Sequence, residues 1–394
     1  MPVTFPSDVV GAGCPVCEDG TLQRFYRVDR VPAMSNLLVG SPGEAQRFPA
    51  ATLDLASCRR CGFITNLAFD ESKIDLSSKY EATQSHSPTF MRFARELANR
   101  WVETYALRDK TIVEIGCGHG EFLALLAEIG GNHCLGFDPV ADPMKPPTVS
   151  NGTVELIDAR FDRRQPLYCD FLVCRHTLEH VPRPTAFLRE ARMAIGPRPR
   201  PRIGIEVPDT LRILQKGCFW DFFHEHCSYF TDVSLRHCLD RAGFNVTDLQ
   251  LEFNGQYLVA EGYAAHRTGP CLDGQPIHAE AMNFVNVVRP RLDDWSKRIE
   301  QWRREGRSWA IWGAGSKAAG FLATLDVHDL VPIVDINPNK QGTFMPLGAQ
   351  PVIAPDELPS VKPDVLVIMN AAYEREIAAS LQSLGLRPQI VALD

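Results

Sequence analysis

A glycine-rich turn between a predicted strand and a predicted helix constrains this chain more than any other feature. The apolar stretch 111–115 runs into Glu114-x-Gly116-x-Gly118-x-Gly120, and an amphipathic segment follows. Glycines at such a turn allow positive φ angles and let a ligand approach the main chain. The spacing differs from the pyrophosphate pattern G-x-G-x-x-G, in which a helix N-terminus binds a dianion. The acid two residues before the first glycine instead favours a ligand with a cationic end.

A second carboxylate completes the predicted site. The apolar stretch 134–137 ends in Asp138, and a carboxylate at the end of such a strand can accept hydrogen bonds from both hydroxyls of a ribose. An amino-acid cation, a ribose and a sulfonium together describe S-adenosylmethionine. The alternative is a βα turn of an ordinary nucleotide-binding fold with another ligand. Asp158 and His176 are assigned to the same predicted cofactor site.

Length, composition and charge indicate a soluble protein of two or three domains. The 394 residues exceed one ordinary core, and 45% hydrophobic with 23% charged residues is typical of globular proteins. No apolar run reaches the ~20 residues of a membrane helix, and the N-terminus does not resemble a signal peptide. A formal charge of −7 argues against a nucleic-acid partner. We therefore expect a cytoplasmic protein without nucleic-acid or membrane partners; the choice between monomer and homodimer stays open.

Four of the twelve cysteines form two C-x-x-C pairs, Cys14 with Cys17 and Cys58 with Cys61. Most of the others stand singly in apolar stretches, as in proteins of a reducing cytosol. Two such pairs can bind one tetrahedral zinc ion, although a gap of 40 residues between them is longer than in a minimal zinc ribbon. Free thiols or disulfides are the alternatives. We predict a structural zinc site, since four protein ligands leave no open coordination position.

Alternating apolar strands and amphipathic helices predict an α/β fold with a doubly wound, mostly parallel sheet. In such sheets, ligands bind at the carboxyl ends of the strands. The central strands are predicted at 111–115, 133–137, 154–157, 170–174 and 203–207, with helices at 120–129, 184–195 and 232–242. Short strands at 22–28, 51–55 and 63–68 surround the cysteine pairs, and 253–264 is expected to form a closing hairpin or edge strands.

A second glycine turn follows later in the chain. A linker at 265–278 and a helix over 279–304, interrupted by Pro290, lead to the strand 309–312 and the sequence GAGSKA at 313–318. This sequence fits the dinucleotide pattern G-x-G-x-x-A, with Asp335 about twenty residues on, and taken alone it suggests NAD. However, the chain after Asp335 is too short for a full dinucleotide domain. A reduced sheet that closes the cleft of the first domain is an equal alternative.

Two histidine-containing segments carry the candidate catalytic groups. Residues 219–230 read FWDFFHEHCSYF, and residues 175–182 read RHTLEHVP. A metal site at H-E-H is disfavoured, because its two histidines would face different directions on a helix and H-E-x-x-H is absent. A general base is the better interpretation, with a neutral imidazole held in one tautomer by a neighbouring carboxylate. For His176 and His180, structural and functional roles are both open.

The order of these motifs resembles the S-adenosylmethionine-dependent C-methyltransferases of nucleotide-linked 4-keto deoxysugars, enzymes of natural-product biosynthesis. The resemblance covers nearly the whole chain, from the cysteine pairs through EIGCGHGEF and HEHCSYF to the GAG turn. It implies a zinc-binding module over 1–75, a class I methyltransferase core over 76–268 and a Rossmann-like substrate domain over 269–394. The last two would hold the sugar nucleotide, a small-molecule substrate, between them.

The resemblance also implies roles for single residues. His226 would remove a proton next to the sugar ketone with Glu225 as its orienting partner, while His180 and Tyr80 would contact the ketone and hydroxyls. The residues assigned to substrate binding are His224, Asn254 and Lys317. Phe223 stands where the family commonly has tyrosine, so a phenol is missing. O- or N-methylation of a different substrate, NAD-dependent redox chemistry, and donor binding without catalysis are the alternatives.

Overall fold

Three sheets organise the chain in this computed structural model. The described residues are 2–393 apart from 76–80, 82, 163, 165, 196–200 and 266–272. Tyr80 and much of the predicted linker at 265–278 therefore lie outside them. The sheets have six, seven and five strands. In the described part of the chain, we find no helix whose length and apolarity would let it cross a membrane.

The N-terminal sheet is antiparallel. It contains β1 (Val3–Thr4), β2 (Val9–Gly13), β3 (Thr21–Pro32), β4 (Ala50–Cys58) and β5 (Ile64–Asn66), with helix α1 (Pro42–Gln46) between β3 and β4. Both β1 and β2 pair with β3, and β4 and β5 follow in order. A sixth strand from later in the chain, Ser228–Tyr229, pairs with β5. This pairing attaches the HEHCSYF segment to the N-terminal sheet.

The central sheet has seven strands in an α/β arrangement. Its strands are β6 (Thr111–Ile115), β7 (His133–Phe137), β8 (Thr153–Ile157), β9 (Phe171–Arg175), β10 (Arg202–Pro208), β12 (Phe244–Glu252) and β13 (Tyr257–Ala264), where β11 denotes the strand Ser228–Tyr229. The associated helices are α2 (Pro88–Thr104), α3 (Glu121–Gly130), α4 (Pro184–Ala194), α5 (Thr210–Lys216) and α6 (Asp232–Arg241). The strand order is β12-β13-β10-β9-β6-β7-β8, and only β13 runs antiparallel to its neighbours.

This sheet confirms the predicted doubly wound α/β fold. The glycine turn after β6 and the RHTLEH segment after β9 lie side by side at the carboxyl ends of two paired strands. The strand order reverses there, which is where ligands bind in open α/β sheets. The stretch 253–264, expected to form a closing hairpin or edge strands, contains only β13, which pairs with β12 just before it. The sequence did not predict β12 separately, since this edge strand is largely polar and half exposed.

The C-terminal sheet is fully parallel. Its strands are β14 (Trp309–Trp312), β15 (Ile333–Val334), β16 (Val352–Ile353), β17 (Val365–Ile368) and β18 (Gln389–Ala392), and its helices are α7 (Gln275–Glu305), α8 (Ser316–Leu325), α9 (Leu358–Val361) and α10 (Glu374–Ser383). The order is β16-β15-β14-β17-β18. The short stretch after Asp335 thus completes a five-stranded sheet, although two of those strands contain only two residues.

Helix α7 packs against the N-terminal and C-terminal sheets, and its continuity differs from the sequence prediction. It continues through Pro290, where the sequence predicted an interruption. Pro290 is exposed, so water can satisfy the carbonyl that loses its helical donor. The opposite face of α7 is buried: Phe284 packs on Tyr26 of the N-terminal sheet with ring centroids 5.2 Å apart, and Trp295 packs on Phe321 of α8 at 5.0 Å. One apolar core therefore joins the first and third sheets.

Candidate active site

A cleft of about 750 Å³ lies between the central sheet and the C-terminal sheet. The turn after β6, the segment after β9 and the HEH segment form one wall, and the second glycine turn with the start of α8 forms another. The loop after β3 of the N-terminal sheet contributes Asn36 to the lining. All three sheets therefore meet at the cavity, which is large enough for more than one ligand.

Glu114, the predicted cationic-group acceptor, is the penultimate residue of β6 and lines this cleft. It is 2% exposed, and its Oε2 atom has no hydrogen-bond partner in the described structure. Burial raises the pKa of the Glu114 carboxyl to about 8, although the nearby Arg175 guanidinium opposes this shift. A buried acceptor without a partner is costly. The ammonium group of S-adenosylmethionine would remove that cost, so the site fits this end of the donor.

The glycine turn opens the cleft beside Glu114. Gly116 has a φ of 78°, and a Cβ there would lie 1.8 Å from the Thr177 hydroxyl, so no other residue fits. Gly118 has a φ of 55°, and a Cβ there would meet no atom within 4 Å. This position therefore leaves free space against the main chain for a ligand. Gly120 precedes the first residue of α3.

Asp138, the predicted ribose acceptor, lines the cleft, whereas Asp158, another predicted acid, does not. Asp138 lines the cleft after β7, and its carboxylate accepts hydrogen bonds from the main-chain N–H groups of Gly118 and Val140, both at 2.9 Å. Asp158 follows the edge strand β8, is exposed and lies outside the cleft lining. Its assignment to the cofactor site is therefore corrected. Arg160 and Phe161, a few residues further on, line the cleft instead.

His180 and His226 lie together in the cleft. Their ring centroids are 4.7 Å apart, and the rings are perpendicular. His180 Nδ1 lies 3.1 Å from the main-chain oxygen of Glu225. Because a carbonyl oxygen only accepts, Nδ1 carries the proton and Nε2 is free to accept another. Burial lowers the pKa of the His226 imidazole well below its ordinary value, and positive charge on His180 or His176 lowers it further. His226 is therefore neutral at physiological pH.

Glu225 does not contact His226 in the way the sequence predicted. Its Oε1 atom accepts hydrogen bonds from the main-chain N–H of Ser35 at 2.8 Å and from the Ser35 hydroxyl. Its Oε2 atom has no hydrogen-bond partner among the described residues, and Glu225 lines the cleft. Burial raises the pKa of the Glu225 carboxyl, and the Ser35 bonds partly offset this. The carboxylate thus contacts the N-terminal module, while the main-chain oxygen of Glu225 contacts His180.

Two residues predicted to bind substrate lie elsewhere. His224 is 1% exposed, and its Nδ1 donates to the main-chain oxygen of Thr52 at 2.8 Å. A bend at His224 and Glu225 turns this histidine away from the cleft. Asn254 is exposed in the turn between β12 and β13. Two residues later, Gln256 lines the cleft and pairs with Asn370 through two amide hydrogen bonds of 2.9 and 3.0 Å.

His176 lines the floor of the cleft as an ionised group. It has a φ of 48°, an uncommon value for a residue other than glycine. Its Nε2 atom lies 2.8 Å from Glu206 Oε1. Although burial disfavours the charged imidazole, the carboxylates of Glu206 and Glu179 outweigh it and raise the pKa of His176 to about 9. The residue is therefore a cation beside the donor site and a poor candidate for a base.

Comparisons with known proteins agree with this geometry. Residues 89–249 match the family described as "Methyltransferase domain", and residues 278–387 match the family described as "C-methyltransferase C-terminal domain". The chain is an S-adenosylmethionine-dependent methyltransferase. Its central sheet has the class I methyltransferase fold, and S-adenosylmethionine is its methyl donor.

A relative that aligns over most of its length is a C-methyltransferase. This methyltransferase is 25% identical over 386 residues to C-methyltransferase NovU of Streptomyces niveus, which covers 92% of this chain and 90% of that protein. Ubiquinone biosynthesis O-methyltransferase of Paraburkholderia phytofirmans is 29% identical over 106 residues, or 25% of this chain and 45% of that protein. The second similarity is therefore confined to part of each chain.

Solved structures of other methyltransferases align with part of this methyltransferase. The 1,6-didemethyltoxoflavin-N1-methyltransferase of Burkholderia thailandensis has a TM-score of 0.35 at 19% identity, over 45% of this chain and 81% of that one. Magnesium protoporphyrin IX methyltransferase of Synechocystis has a TM-score of 0.35 at 15% identity, over 45% of this chain and 84% of that one.

The two cysteine pairs of the methyltransferase come together in the N-terminal module. The Sγ atoms of Cys14 and Cys61 are 3.6 Å apart, as are those of Cys17 and Cys58, and all four lie within 4.8 Å of one another. A tetrahedral zinc site with Zn–S bonds of about 2.3 Å has sulfurs about 3.8 Å apart. A Cβ at Gly20 would lie 2.2 Å from Cys58 Sγ, so a glycine is required there.

Lys317 lies at the start of α8, on the wall opposite the donor site. Its Nζ donates to Asp221 Oδ1 at 2.5 Å, and Arg212 Nη2 donates to the other oxygen of Asp221 at 2.6 Å. All three residues line the cleft. Two cations share one buried carboxylate, so the cluster keeps a net positive charge toward the cavity. An anionic group of a substrate is its natural complement.

Phe223 packs against His226, the candidate base. Three other residues of the cleft were not predicted from the sequence. The Phe223 ring is perpendicular to that of His226, with centroids 5.0 Å apart, and it is 8% exposed. The residue that stands in place of the usual tyrosine therefore borders the reaction site. Asn36 and the pair of Gln256 and Asn370 were not predicted, since they lie in loops and only the tertiary fold brings them to the cleft.

Proposed function

We propose that this methyltransferase removes a proton from the carbon next to the ketone of a nucleotide-linked keto deoxysugar and methylates that carbon. The observation that carries the proposal is the neutral His226 imidazole beside His180, in a cleft that also holds the donor site. A neutral imidazole within reach of a C–H bond can act as a general base. The match of 278–387 and the similarity to NovU support transfer to carbon.

In the proposed reaction, different residues of the cleft would transfer the proton, bind the donor and bind the nucleotide phosphates. His226 would accept the proton from carbon, and the unprotonated Nε2 atom of His180 would accept a hydrogen bond from a substrate hydroxyl. The donor supplies the methyl group, and Glu114 and Asp138 bind its ammonium and ribose. The nucleotide phosphates would lie near the cluster around Lys317. Tyr80, assigned to the sugar, lies outside the described residues.

Solvent exchange tests the proposed reaction. Incubation with a thymidine-diphosphate-linked 4-keto deoxysugar in deuterium oxide, without donor, should introduce deuterium next to the ketone. His226→Gln should reduce this exchange and kcat by about 10²–10⁴-fold and leave affinity for S-adenosylhomocysteine within about twofold. His133→Gln, at an exposed histidine on β7 outside the cleft, serves as the control. Methyl transfer without any exchange would contradict the carbanion mechanism.

O-methylation or N-methylation is the second candidate, and Phe223 favours it. These reactions need no enolate and hence no phenol near the ketone oxygen. In that case, the methylated product would carry the new group on a heteroatom, and no deuterium would enter carbon. Mass spectrometry and carbon NMR of the product distinguish the two reactions directly.

We also propose that the four-cysteine cluster binds one structural zinc ion. In this proposal, residues 1–75 form the zinc-binding module, residues 76–268 the methyltransferase core and residues 269–394 the substrate domain. The sulfur spacing and the main-chain N–H groups of Val16 and Arg60, which donate to Cys14 and Cys58 Sγ at 3.4 Å, support the metal. Elemental analysis should find one zinc per chain. Cys58→Ser should lose it and lower the melting temperature, whereas Cys134→Ser, on β7, should retain it. An unchanged Cys58→Ser variant would refute the site.

A further inference from the structure

A buried serine of the N-terminal module contacts Glu225 in the HEH segment. Ser35 follows β3, is 2% exposed and lies 190 positions from its partner, Glu225. Both its main-chain N–H and its hydroxyl donate to the same carboxylate oxygen. Two donors on one oxygen of a buried carboxylate fix the position of that oxygen. The neighbouring residue, Asn36, lines the cleft.

Glu225 passes this constraint to the histidines. Its main-chain oxygen accepts the Nδ1 proton of His180, and it immediately precedes His226 in the chain. A displacement of Glu225 would therefore move the acceptor that selects the His180 tautomer and would rotate the His226 backbone. The rest of the segment is held independently, since Cys227 N–H donates to the main-chain oxygen of Glu179 at 3.0 Å. Ser35 thus acts on the histidine pair through Glu225 alone.

We propose that Ser35 is a positioning residue for catalysis: it anchors Glu225, and through Glu225 it holds His180 with Nδ1 protonated and Nε2 free beside His226. The same anchor uses one carboxylate oxygen, and the other, Oε2, is buried without a hydrogen-bond partner in the described structure. The proposal rests on the methyl transfer proposed above. It assigns to the N-terminal module a role in the reaction in addition to binding metal.

A matched pair of serine variants tests this role. Ser35→Ala removes one donor to Glu225, whereas Ser57→Ala removes a buried hydroxyl of the same module that has no hydrogen-bond partner in the described structure. We expect Ser35→Ala to reduce kcat about 10–100-fold, as small misplacements of catalytic groups do, with KM values within about twofold. Ser57→Ala should keep kcat, and Ser35→Thr, which retains the hydroxyl, should recover most of it. Zinc content and melting temperature should be similar in the two alanine variants.

The direction in which the pH profile of Ser35→Ala moves distinguishes a positioning role from simple destabilisation. A hydrogen bond to the ionised carboxylate favours its charged form, so loss of the Ser35 hydroxyl raises the pKa of Glu225 further. The acidic limb of the kcat/KM profile should therefore move to higher pH in Ser35→Ala and stay in place in Ser57→Ala. An unchanged profile with wild-type kcat would overturn the proposal, as would equal losses in both alanine variants.

Imidazole NMR separates this proposal from the proposed reaction. In nitrogen-15-labelled wild-type protein without substrate, the His180 nitrogens should report a protonated Nδ1, and Ser35→Ala should shift them toward a mixture of tautomers. An unchanged His180 signal in Ser35→Ala would overturn the positioning role even where methyl transfer is established. Conversely, a shifted signal in a protein that methylates no keto sugar would retain the positioning role and contradict only the substrate.

Discussion

At the scale of the residue, the proposed donor site contains a buried acid, Glu114, with one oxygen that has no hydrogen-bond partner in the described structure. Glu114 is buried, one of its oxygens accepts no hydrogen bond in the described structure, and its pKa is raised to about 8 because burial disfavours the carboxylate. It is therefore largely protonated at pH 7 in the absence of ligand. A neighbouring ammonium group favours the ionised form and lowers the pKa again. Donor binding at neutral pH should expel a proton from Glu114.

Calorimetry in buffers of different ionisation enthalpy measures this proton. At pH 7, binding of S-adenosylhomocysteine should release about one proton in the wild type and none from this source in Glu114→Gln, with weaker binding. At pH 9 the release should disappear, because Glu114 is then ionised before the ligand arrives. Glu103→Gln, at an exposed acid on α2, should behave like the wild type. A binding enthalpy that does not depend on the buffer at pH 7 would contradict this assignment.

At the scale of the element, the sequence predicts what apolar patterning controls. The strands at 111–115 and 133–137 have the predicted bounds, since buried parallel strands are continuous apolar runs between clear turn signals. The HEH segment carries no such pattern. Its bend sends His224 to Thr52 and leaves His226 in the cleft, and this depends on pairing with β5, more than 160 residues away. The contact of Glu225 with Ser35 was not predicted for the same reason, because Ser35 belongs to the N-terminal module.

For helix α7, the sequence predicted an interruption at Pro290, but tertiary packing keeps the helix continuous. Pro290 lacks an N–H and disfavours a helix, but the buried face, with Phe284 and Trp295, holds α7 continuous across that position. Because Pro290 is exposed, its replacement should restore a hydrogen bond without disturbing the core. The proline is thus a local cost that the surrounding contacts outweigh.

Pro290→Ala should therefore stabilise the protein by about 1–3 kcal/mol, since alanine is the better helix former by about 3 kcal/mol in an isolated helix. The measurement is the midpoint of denaturant unfolding monitored by helical circular dichroism. Lys297→Ala, at an exposed position of the same helix, should change the midpoint little. A lower midpoint in Pro290→Ala would mean that the core is packed around a bend in α7 and depends on it.

At the scale of the whole molecule, the cleft exists because the central and C-terminal sheets face each other across polar contacts. Gln256 and Asn370 exchange two amide hydrogen bonds between them, and Ser87 donates to Glu376 of α10 at 2.8 Å. Donor residues lie on the central sheet, whereas Lys317 lies on the other side. The spacing between the two walls should therefore affect a substrate that contacts both of them more than a donor that contacts one.

Substitution of the amide pair tests this coupling. Gln256→Ala and Asn370→Ala should each raise the KM for the keto sugar several-fold and leave the affinity for S-adenosylhomocysteine within about twofold. Since the two amides act as one unit, the double variant should resemble either single variant, with a coupling energy of about 0.5–3 kcal/mol. Gln382→Ala, at an exposed amide on α10, should leave KM unchanged. Additive effects would mean that each amide contacts the substrate by itself, and unchanged KM values in both single variants would exclude a role for the pair.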